Sequence, residues 1–333
     1  MKVLVTGATG FIGQALSLSC IKRGFQIQRA IRVNPEQFSN KKIKKSGKTG
    51  DFVCVGSINS HTDWSNVLQD IDVVVHLAAR VHVMQDKSEN PLEAFREVNT
   101  AGTDRLAKEA AKAGVRRFVY LSSIKVNGEN TGPSGGKCNI FFSGNDIPSP
   151  QDPYAVSKWE AEQILHTIAK ETGMEVVIVR PPLVYGPAVK ANFLRLLKIV
   201  DRGVPLPLGS IKNARSLVSL DNLVDFLITC VNHTDAAGKT FVVSDGKDLS
   251  TPELIRKIAQ FMGRPCRLFP FPPSLLRFVG KLAGKEAMID RICGSLQVDI
   301  SKARNVLGWE PPVSVDEGLK RTTKWYLKNA VDS

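Results

Sequence analysis

A glycine-rich stretch at the start of the chain constrains the fold more than any other feature. Residues 1–13 read MKVLVTGATGFIG, so a short apolar run is followed by glycines at positions 7, 10 and 13. Apolar residues at helical spacing resume immediately afterwards. The pattern predicts a buried strand, a tight turn and the start of a helix. Backbone N–H groups and the positive end of a helix dipole meet at such a turn, which favours a bound phosphate group.

Strand and helix patterns alternate over the first 180 residues and indicate an α/β fold. Apolar strands are predicted at 73–77, 118–121 and 175–179, and helices at 64–68, 91–113 and 154–171. Strands that are apolar at every position are buried on both faces, which is typical of a parallel sheet covered by helices. We therefore expect a Rossmann-like, doubly wound parallel sheet with a smaller, partly interleaved C-terminal substrate domain.

The pattern changes after residue 181, where prolines cluster and the predicted helices shorten. We expect residues 1–181 to form a dinucleotide-binding domain, with 215–245 returning to it through a strand at 240–244. Residues 182–214 and 246–333 are then expected to form the substrate domain.

Composition narrows the class of protein. No apolar run approaches the ~18 residues needed to cross a bilayer, and the chain starts in a strand without the features of a secretory leader. The six cysteines are scattered, with no pair at metal-ligand spacing, so we expect reduced thiols and no metal site. These features predict a cytoplasmic protein without a transmembrane segment.

The net charge of +13 is high, and five of the lysines lie between residues 41 and 48. Nucleic-acid binding and attraction to an anionic membrane are the two specific interpretations. No aromatic residues alternate with these lysines, as single-strand binding would favour. We therefore favour a solvated basic loop and expect no nucleic acid partner, while a weak association with a membrane surface stays open.

A second pattern carries the chemistry. Tyr154 and Lys158 are four residues apart and share one face of a predicted helix. A lysine ammonium close to a phenol favours the phenolate and lowers its pKa, so the tyrosine can exchange a proton with an alcohol or ketone. Ser123 ends a buried strand, and ligands bind at the carboxyl ends of such strands. An ordinary surface pair on a helix is the alternative.

Several motifs together resemble the extended short-chain dehydrogenase/reductase family, in its nucleotide-sugar epimerase and dehydratase branch. The resemblance covers essentially the whole chain. The matching segments are TGATGFIG at 6–13, HLAA at 76–79, VNTAGT at 98–103, LSSIKVNGE at 121–129, YAVSK at 154–158, RPPLVYGP at 180–187 and RSLVSLDNLVD at 215–225.

The resemblance implies a role for each matching residue. The catalytic set is Ser123, which hydrogen-bonds the reacting oxygen, Tyr154 as acid/base, and Lys158. The residues expected to hold or line the cofactor are Gly7, Gly10, Phe11, Ile12, Gly13, Arg32, Ile58, Leu77, Ala78, Ala79, Asn99, Tyr154, Lys158, Pro181 and Val184. The residues expected at the substrate are Ser123, Lys125, Asn192, Arg215 and Arg291. Asn99 could instead only tie loops together, and Arg215 could be an ordinary surface charge.

Three departures from the family pattern narrow the reaction. The dehydratases carry an acidic pair after the catalytic hydroxyl, but Ile124 and Lys125 stand there, so we exclude dehydration. The strand ending near Arg32 lacks the acid that binds an NAD ribose, and Arg29 and Arg32 suit a 2′-phosphate. We expect NADP(H) or NAD(H), with a preference for the former. Ser57 stands where an acid often contacts the adenine.

A chain without the ribose-binding acid favours a reductase that exchanges its cofactor. The resemblance implies reduction of the C4 ketone of a UDP-6-deoxy-4-keto-N-acetylhexosamine, giving UDP-N-acetylquinovosamine for polysaccharide or O-antigen synthesis. The alternative is a UDP-glucose or UDP-N-acetylglucosamine 4-epimerase with tightly bound NAD, and a remote one is a non-catalytic binding protein on the same fold. Both enzymes take a UDP-sugar, and family members commonly pair as homodimers through the helices at 91–113 and 154–171.

Overall fold

The fold is built around a seven-stranded parallel sheet. A computed structural model describes residues 1–33, 52–81, 90–132 and 141–330, so the basic stretch 41–48 lies outside the described residues. The strands of the described part are β1 (Lys2–Thr6), β2 (Gln26–Ile31), β3 (Phe52–Cys54), β4 (Val73–His76), β5 (Arg117–Leu121), β6 (Glu175–Arg180), β7 (Leu183–Tyr185), β8 (Leu217–Ser219) and β9 (Thr240–Val242).

The order of strands in the sheet is β3-β2-β1-β4-β5-β6-β9, and every neighbouring pair is parallel. The order reverses between β1 and β4, which is the point where a doubly wound sheet binds its ligand. β7 and β8 form a separate parallel pair. The α/β, Rossmann-like fold expected from the sequence is confirmed, and β9 adds a strand beside β6 after the chain has left the sheet for some sixty residues.

Helices cover both faces of this sheet. Their bounds are α1 (Phe11–Lys22), α2 (Pro91–Arg96), α3 (Gly102–Lys112), α4 (Pro153–Thr172), α5 (Ala191–Asp201), α6 (Leu220–Asn232), α7 (Thr251–Met262), α8 (Pro273–Leu282), α9 (Glu286–Cys293), α10 (Ser301–Leu307) and α11 (Val315–Ala330). Val3 and Val5 pack on the α1 and α6 side, whereas Leu4 packs on the α3 and α4 side. Burial on both faces explains why consecutive residues of β1, and not only every second one, are apolar.

A third apolar cluster lies away from the sheet, among α5, α7, α11 and β7. Tyr185 and Phe193 stack in it with ring centroids 5.5 Å apart, and Leu319 of α11 is fully buried. The cluster gives the segments after β6 a hydrophobic core of their own.

Two expected helices differ in the structure. The segment 64–68 forms turns instead of a helix, because Asp63 Oδ1 accepts hydrogen bonds from the Ser65 N–H and hydroxyl and directs the chain into a local turn. The long helix expected at 91–113 is interrupted by a π-helical turn, Glu97–Ala101, between α2 and α3. The apolar periodicity of both segments is real, since Trp64 and Leu106 are fully buried.

Candidate active site

The glycine turn after β1 leaves no room for side chains. Gly7 has φ +64°, and a Cβ there would lie 2.8 Å from the Ala78 backbone nitrogen at the end of β4. A Cβ on Gly13 would collide with the Gly7 carbonyl oxygen and lie 2.8 Å from Ala8 Cα. Gly10 is the N-cap residue of helix α1 and offers no side chain to cap its first N–H groups. The turn therefore fits a pyrophosphate group, because backbone can approach it closely and helix N–H groups are left without a capping side chain.

Substituting Gly13 by alanine is expected to lower the affinity for NADH by at least tenfold. The added methyl group forces the turn open, and overpacking of this kind costs about 1–3 kcal/mol. Titration of the protein with NADH, followed by nucleotide fluorescence, measures the effect. Leu18→Ala, on the exposed side of the same helix, is the control; equal affinity in both variants would contradict a dinucleotide site at this turn.

The loop after β4 is tied to the catalytic helix through Asn99. This fully buried residue lies in the π-helical turn, and its Oδ1 accepts from the Arg80 N–H at 2.8 Å. Its Nδ2 donates to the Arg80 carbonyl and to Ser157 Oγ, each at 3.0 Å. Asn99 thus joins the segment carrying Leu77–Ala79 to α4, which is a structural contact; a direct contact with the cofactor stays a prediction.

A buried histidine braces the same edge of the sheet. His76 Nδ1 lies 2.6 Å from Thr6 Oγ1, and Nε2 lies 3.0 Å from Thr103 Oγ1. Burial lowers the pKa of His76 to about 3, so the ring is neutral at physiological pH. Thr6 Oγ1 also accepts from the N–H groups of Leu77 and Ala78. The network fixes the ends of β1 and β4 beside the glycine turn.

Tyr154 is positioned by the first turn of α4. Asp152 caps the helix by accepting from the Ala155 N–H at 2.7 Å, and Pro153 occupies the first helical position. The Tyr154 ring meets Phe95 edge-on, with centroids 6.0 Å apart. The Ser123 side chain is close enough to the Tyr154 hydroxyl to lower its pKa, against the larger effect of burial. The structure therefore brings the predicted acid/base and the predicted hydroxyl partner together.

Lys158 lies one turn further along α4 and is buried. Its Nζ donates to the Leu121 carbonyl at 2.9 Å and lies 4.5 Å from the centre of the Tyr120 ring. Burial lowers the pKa of Lys158 to about 7, against the opposing effect of the Glu162 carboxylate. Burial raises the pKa of Tyr154 to about 12. The expected lowering of the tyrosine pKa is absent here, because burial and the Asp152 carboxylate raise it and the effect of Ser123 opposes them only in part.

A pH-dependent stability follows from Lys158. The unfolded chain binds the Lys158 proton more tightly than the folded protein does. The buried ammonium therefore lowers the free energy of unfolding by its full amount below pH ~7, and this loss disappears as the pH rises towards 10.5. Relative to Lys158→Met, wild type is expected to gain unfolding free energy between pH 7 and pH 10. Urea unfolding of both proteins at several pH values measures this difference. Lys170→Met, at the exposed end of α4, should show no such trend, and a flat difference for Lys158→Met would refute the shifted pKa.

The predicted substrate residues Lys125, Arg215 and Arg291 surround one carboxylate, Glu129. Lys125 Nζ lies 2.8 Å from Glu129 Oε1 and also pairs with Asp152. Arg291 Nε lies 3.9 Å from Glu129 Oε2. Arg215 Nη1 donates to the Arg291 carbonyl at 2.7 Å, so the three cations belong to one cluster.

Asn192, another predicted substrate residue, lies apart from this cluster. It is exposed in the first turn of α5, and no hydrogen bond joins it to the three cations within the described residues. Lys125 is already paired with two carboxylates, so its role at a substrate depends on exchanging those partners.

The remaining predicted cofactor residues lie around the sheet edge. Ile58 packs against α3, where a Cβ on Gly102 would lie 2.8 Å from its Cγ2. Pro181 directly follows β6, and its carbonyl accepts a hydrogen bond from the Ile124 N–H at 3.0 Å, next to Ser123. Val184 lies in β7. Arg32 is exposed just beyond β2. All these positions stay predictions as cofactor contacts.

Arg29 does not occupy the position expected for a 2′-phosphate ligand. It lies inside β2, is 8% exposed, and its guanidinium carbon is 4.7 Å from the centre of the Phe52 ring. Among the residues that the structure describes, none is a hydrogen-bond partner of its buried Nε and Nη2. Only Arg32 of the two arginines lies at the carboxyl end of the strand, where the adenosine ribose is expected.

Sequence reasoning missed the polar groups that support the site. Glu162 is fully buried and binds Arg180 Nε at 3.0 Å and the Ser122 hydroxyl at 2.5 Å, and Arg180 Nη1 reaches Asn127 Oδ1 at 3.0 Å. The spacing of Tyr154, Lys158 and Glu162, four residues apart along α4, places all three on one face and was the available signal. Asp152 was detectable as a helix cap before a proline.

No metal centre is evident in the described ranges, where no three His, Cys, Asp or Glu residues are arranged to hold a metal ion. Across those same residues, none of the helices combines the length and the apolarity that crossing a membrane requires.

Comparison with known proteins finds relatives that cover almost the whole chain. A UDP-glucose 4-epimerase from Vibrio cholerae is 46% identical over 330 residues, covering 98% of this chain and 95% of that protein. A UDP-glucose 4-epimerase from Mycolicibacterium smegmatis is 28% identical and covers 98% of each chain. The crystal structure of a Bacillus cereus UDP-glucuronic acid 4-epimerase with UDP-glucuronic acid and NAD has a TM-score of 0.77 at 24% identity, covering 99% of this chain and all of that one.

The sequence profile of the NAD dependent epimerase/dehydratase family matches residues 3–244. That range includes the glycine turn, Ser123 and the Tyr154–Lys158 pair. The extended short-chain dehydrogenase/reductase resemblance drawn from the motifs is thus confirmed, and the chain belongs to the NAD dependent epimerase/dehydratase family.

Proposed function

We propose that this chain is a UDP-hexose 4-epimerase that uses NAD. The observation that carries the proposal is the arrangement of Tyr154, which lies beside Ser123 and one helical turn from buried Lys158. The near full-length identity of 46% to a UDP-glucose 4-epimerase supports C4 of a UDP-sugar as the reacting position. The dependence of the family on NAD favours NAD(H) over the NADP(H) suggested by Arg32.

Tyr154 and Ser123 handle the proton of the reaction. When bound, NAD accepts a hydride from a sugar carbon and can return it. Tyr154 takes the proton of the C4 hydroxyl as the C4–H bond is broken, leaving a ketone, and Ser123 hydrogen-bonds the oxygen. Tyr154 then returns the proton to the C4 oxygen, and a hydride added to the opposite face of C4 would give the epimer. No cofactor is consumed, so protons and electrons balance within each turnover.

Lys158 supports the proton transfer electrostatically. The raised pKa of Tyr154 means that its phenolate needs a nearby positive charge. Lys158 is a cation below its lowered pKa and lies on the same face of α4, one turn away. Its bond to the Leu121 carbonyl holds it at the end of β5, two residues before Ser123.

The cluster of Lys125, Arg215 and Arg291 is proposed to bind the diphosphate of the substrate. Guanidinium groups match phosphate oxygens in a forked geometry. Glu129 keeps these cations together in the structure described here, and a diphosphate can replace it as their anionic partner. Asn192 is proposed to contact the same nucleotide.

A specific observation keeps a second activity in view. Arg32, rather than an acid, follows β2, so the ribose carboxylate typical of tight NAD binding is missing. This favours a cofactor that dissociates, as in reduction of the C4 ketone of a UDP-6-deoxy-4-keto-N-acetylhexosamine to UDP-N-acetylquinovosamine for polysaccharide or O-antigen synthesis. The same three catalytic residues serve that reaction, with Tyr154 donating the proton.

One experiment separates the two activities. The purified protein is denatured and any released nucleotide is identified, and the native protein is then incubated with UDP-glucose or UDP-N-acetylglucosamine without added nucleotide. Interconversion with the C4 epimer supports the epimerase. Oxidation of NADH or NADPH in the presence of the UDP-4-keto-6-deoxy sugar, with no epimerisation, establishes the reductase instead. Absence of both activities in a folded protein that binds NADH would favour a non-catalytic role.

We also propose that the protein works as a cytoplasmic homodimer. Helices α3 and α4 pack beside each other on one face of the sheet, and these are the helices by which family members commonly pair. Sedimentation analysis of the purified protein tests the proposal, and a monomer at micromolar concentration would contradict it.

A further inference from the structure

We propose that the outer face of helix α8 docks on an anionic phospholipid surface. Four apolar residues of this helix are strongly exposed: Leu275 (44%), Phe278 (60%), Val279 (51%) and Leu282 (74%). Their spacing of three, four and seven residues places them on one side of the helix, which we call the α8 stripe. Contiguous exposed apolar groups of this kind mark an interaction surface.

The stripe is not the packing face of the helix. Leu276 and Gly280, on another side of α8, are buried. A Cβ on Gly280 would lie 2.6 Å from Ile289 Cγ1 of α9, so the two helices meet closely there. Helix α8 therefore already has a face packed against the protein, and the α8 stripe is a second apolar face that points away from it.

The charges around the stripe select an anionic partner. Residues 264–291 contain six basic and two acidic residues. Lys281, on α8, and Lys285, three residues beyond its end, form no ion pair with any described residue, whereas Arg277 lies 3.4 Å from Asp290. Apolar residues flanked by unpaired lysines are the combination with which interfacial helices bind acidic lipid headgroups.

The small size of the stripe argues against a protein partner. A helix of ten residues is about 15 Å long and ~10 Å wide, whereas a stable protein interface buries roughly 800 Å² on each side. A lipid surface needs no shape complementarity, and a few inserted side chains with basic neighbours suffice for weak, reversible binding. A second copy of this chain is accordingly an outcome of the test and not the proposal.

The test is co-sedimentation of the full-length protein with phosphatidylcholine vesicles that contain either no anionic lipid or about 25 mol% phosphatidylglycerol. Wild type is expected to bind the anionic vesicles at least tenfold more strongly than the neutral ones. Phe278→Ser/Leu282→Ser should lower that binding at least tenfold, and Lys281→Gln/Lys285→Gln should remove the preference for anionic lipid. Leu18→Ser/Ile147→Ser, which removes two exposed apolar residues elsewhere, is the matched control.

Several results would overturn the proposal. One is equal vesicle binding by Phe278→Ser/Leu282→Ser and wild type. Another is a loss of binding only when the lysines at 41–48 are neutralised, and a third is an equal loss of binding in the matched control. Conversion of an oligomer to a monomer by Phe278→Ser/Leu282→Ser without vesicles would identify the stripe as a protein interface. If that variant misfolds by circular dichroism, Leu275→Ser/Val279→Ser replaces it, and the lipid preference of wild type still decides.

Discussion

Replacement of Tyr154 by phenylalanine is expected to lower kcat by about 10²- to 10⁴-fold, the range for loss of a positioned acid/base. The variant keeps the ring that meets Phe95 edge-on and loses only the hydroxyl, which lies beside Ser123. Cofactor and UDP-sugar affinities should change little, because the hydroxyl acts on the proton in transfer. Steady-state kinetics with a UDP-hexose, together with NADH titration, measure both quantities.

The pH profile distinguishes a catalytic role of Tyr154 from a structural one. Since the phenolate takes the substrate proton and burial raises the pKa of Tyr154, the wild-type rate should increase with pH as long as Lys158 keeps its charge, and should fall as the pH rises above the lowered pKa of Lys158, about 7. The variant should lack this increase. Tyr326→Phe is the matched control. It removes a hydroxyl of α11 that donates to Asp201 Oδ2 at 3.2 Å, and it should leave kcat unchanged. A Tyr154→Phe enzyme within threefold of wild type would refute the assignment.

Glu162→Gln is expected to lower the free energy of unfolding by about 3–5 kcal/mol, as breaking a buried ion pair does. Glu162 is fully buried and Arg180 is 3% exposed, with Nη2 and Oε2 2.5 Å apart. Removing the carboxylate charge leaves the Arg180 guanidinium buried without its counter-ion. The substitution also removes the negative charge that raises the pKa of Lys158. The pKa of Lys158 should therefore fall further. Urea unfolding measures the first effect and the pH dependence of the rate the second.

Glu160→Gln is the matched control, two residues away on the same helix. Glu160 lies 2.6 Å from Arg96, but the two side chains are 25% and 39% exposed. Ion pairs in such positions contribute about 0–1 kcal/mol. A loss for Glu162→Gln no larger than that for Glu160→Gln would show that the buried pair does not stabilise the fold.

The fold was predictable from the sequence wherever burial imposes a simple pattern. The all-apolar runs at β4 and β5 and the glycines before α1 predicted strands, turn and helix correctly. The helix predicted at 64–68 was wrong, because apolar spacing cannot reveal that Asp63 bonds the Ser65 N–H and hydroxyl. The π-helical turn after α2 could not be predicted either, since it changes backbone hydrogen bonding without an obvious break in the apolar pattern.

Only those residues of the candidate site that belong to recognisable sequence motifs were predictable. Ser123 and Tyr154 meet in the structure because each begins a segment at the same edge of the sheet. The direction of the Tyr154 pKa shift was predicted incorrectly, because spacing along a helix does not show how deeply the phenol is buried. The contact of Glu129 with Arg291 joins residues far apart in sequence and follows from the tertiary fold alone, whereas Lys125 is only four residues from Glu129.

The π-helical turn at Glu97–Ala101 holds one residue more than an α-helical turn of the same height, and this has a consequence for how the chain tolerates deletions. Each residue turns an α-helix by about 100°. Deleting a single residue from this turn would let α2 and α3 merge into one regular helix, yet Asn99 would rotate away from Arg80 and Ser157, or α2 would rotate against α4. A shorter and locally more regular chain would thus lose its link between the cofactor edge and the catalytic helix, so the irregular turn is a length constraint on this part of the sequence.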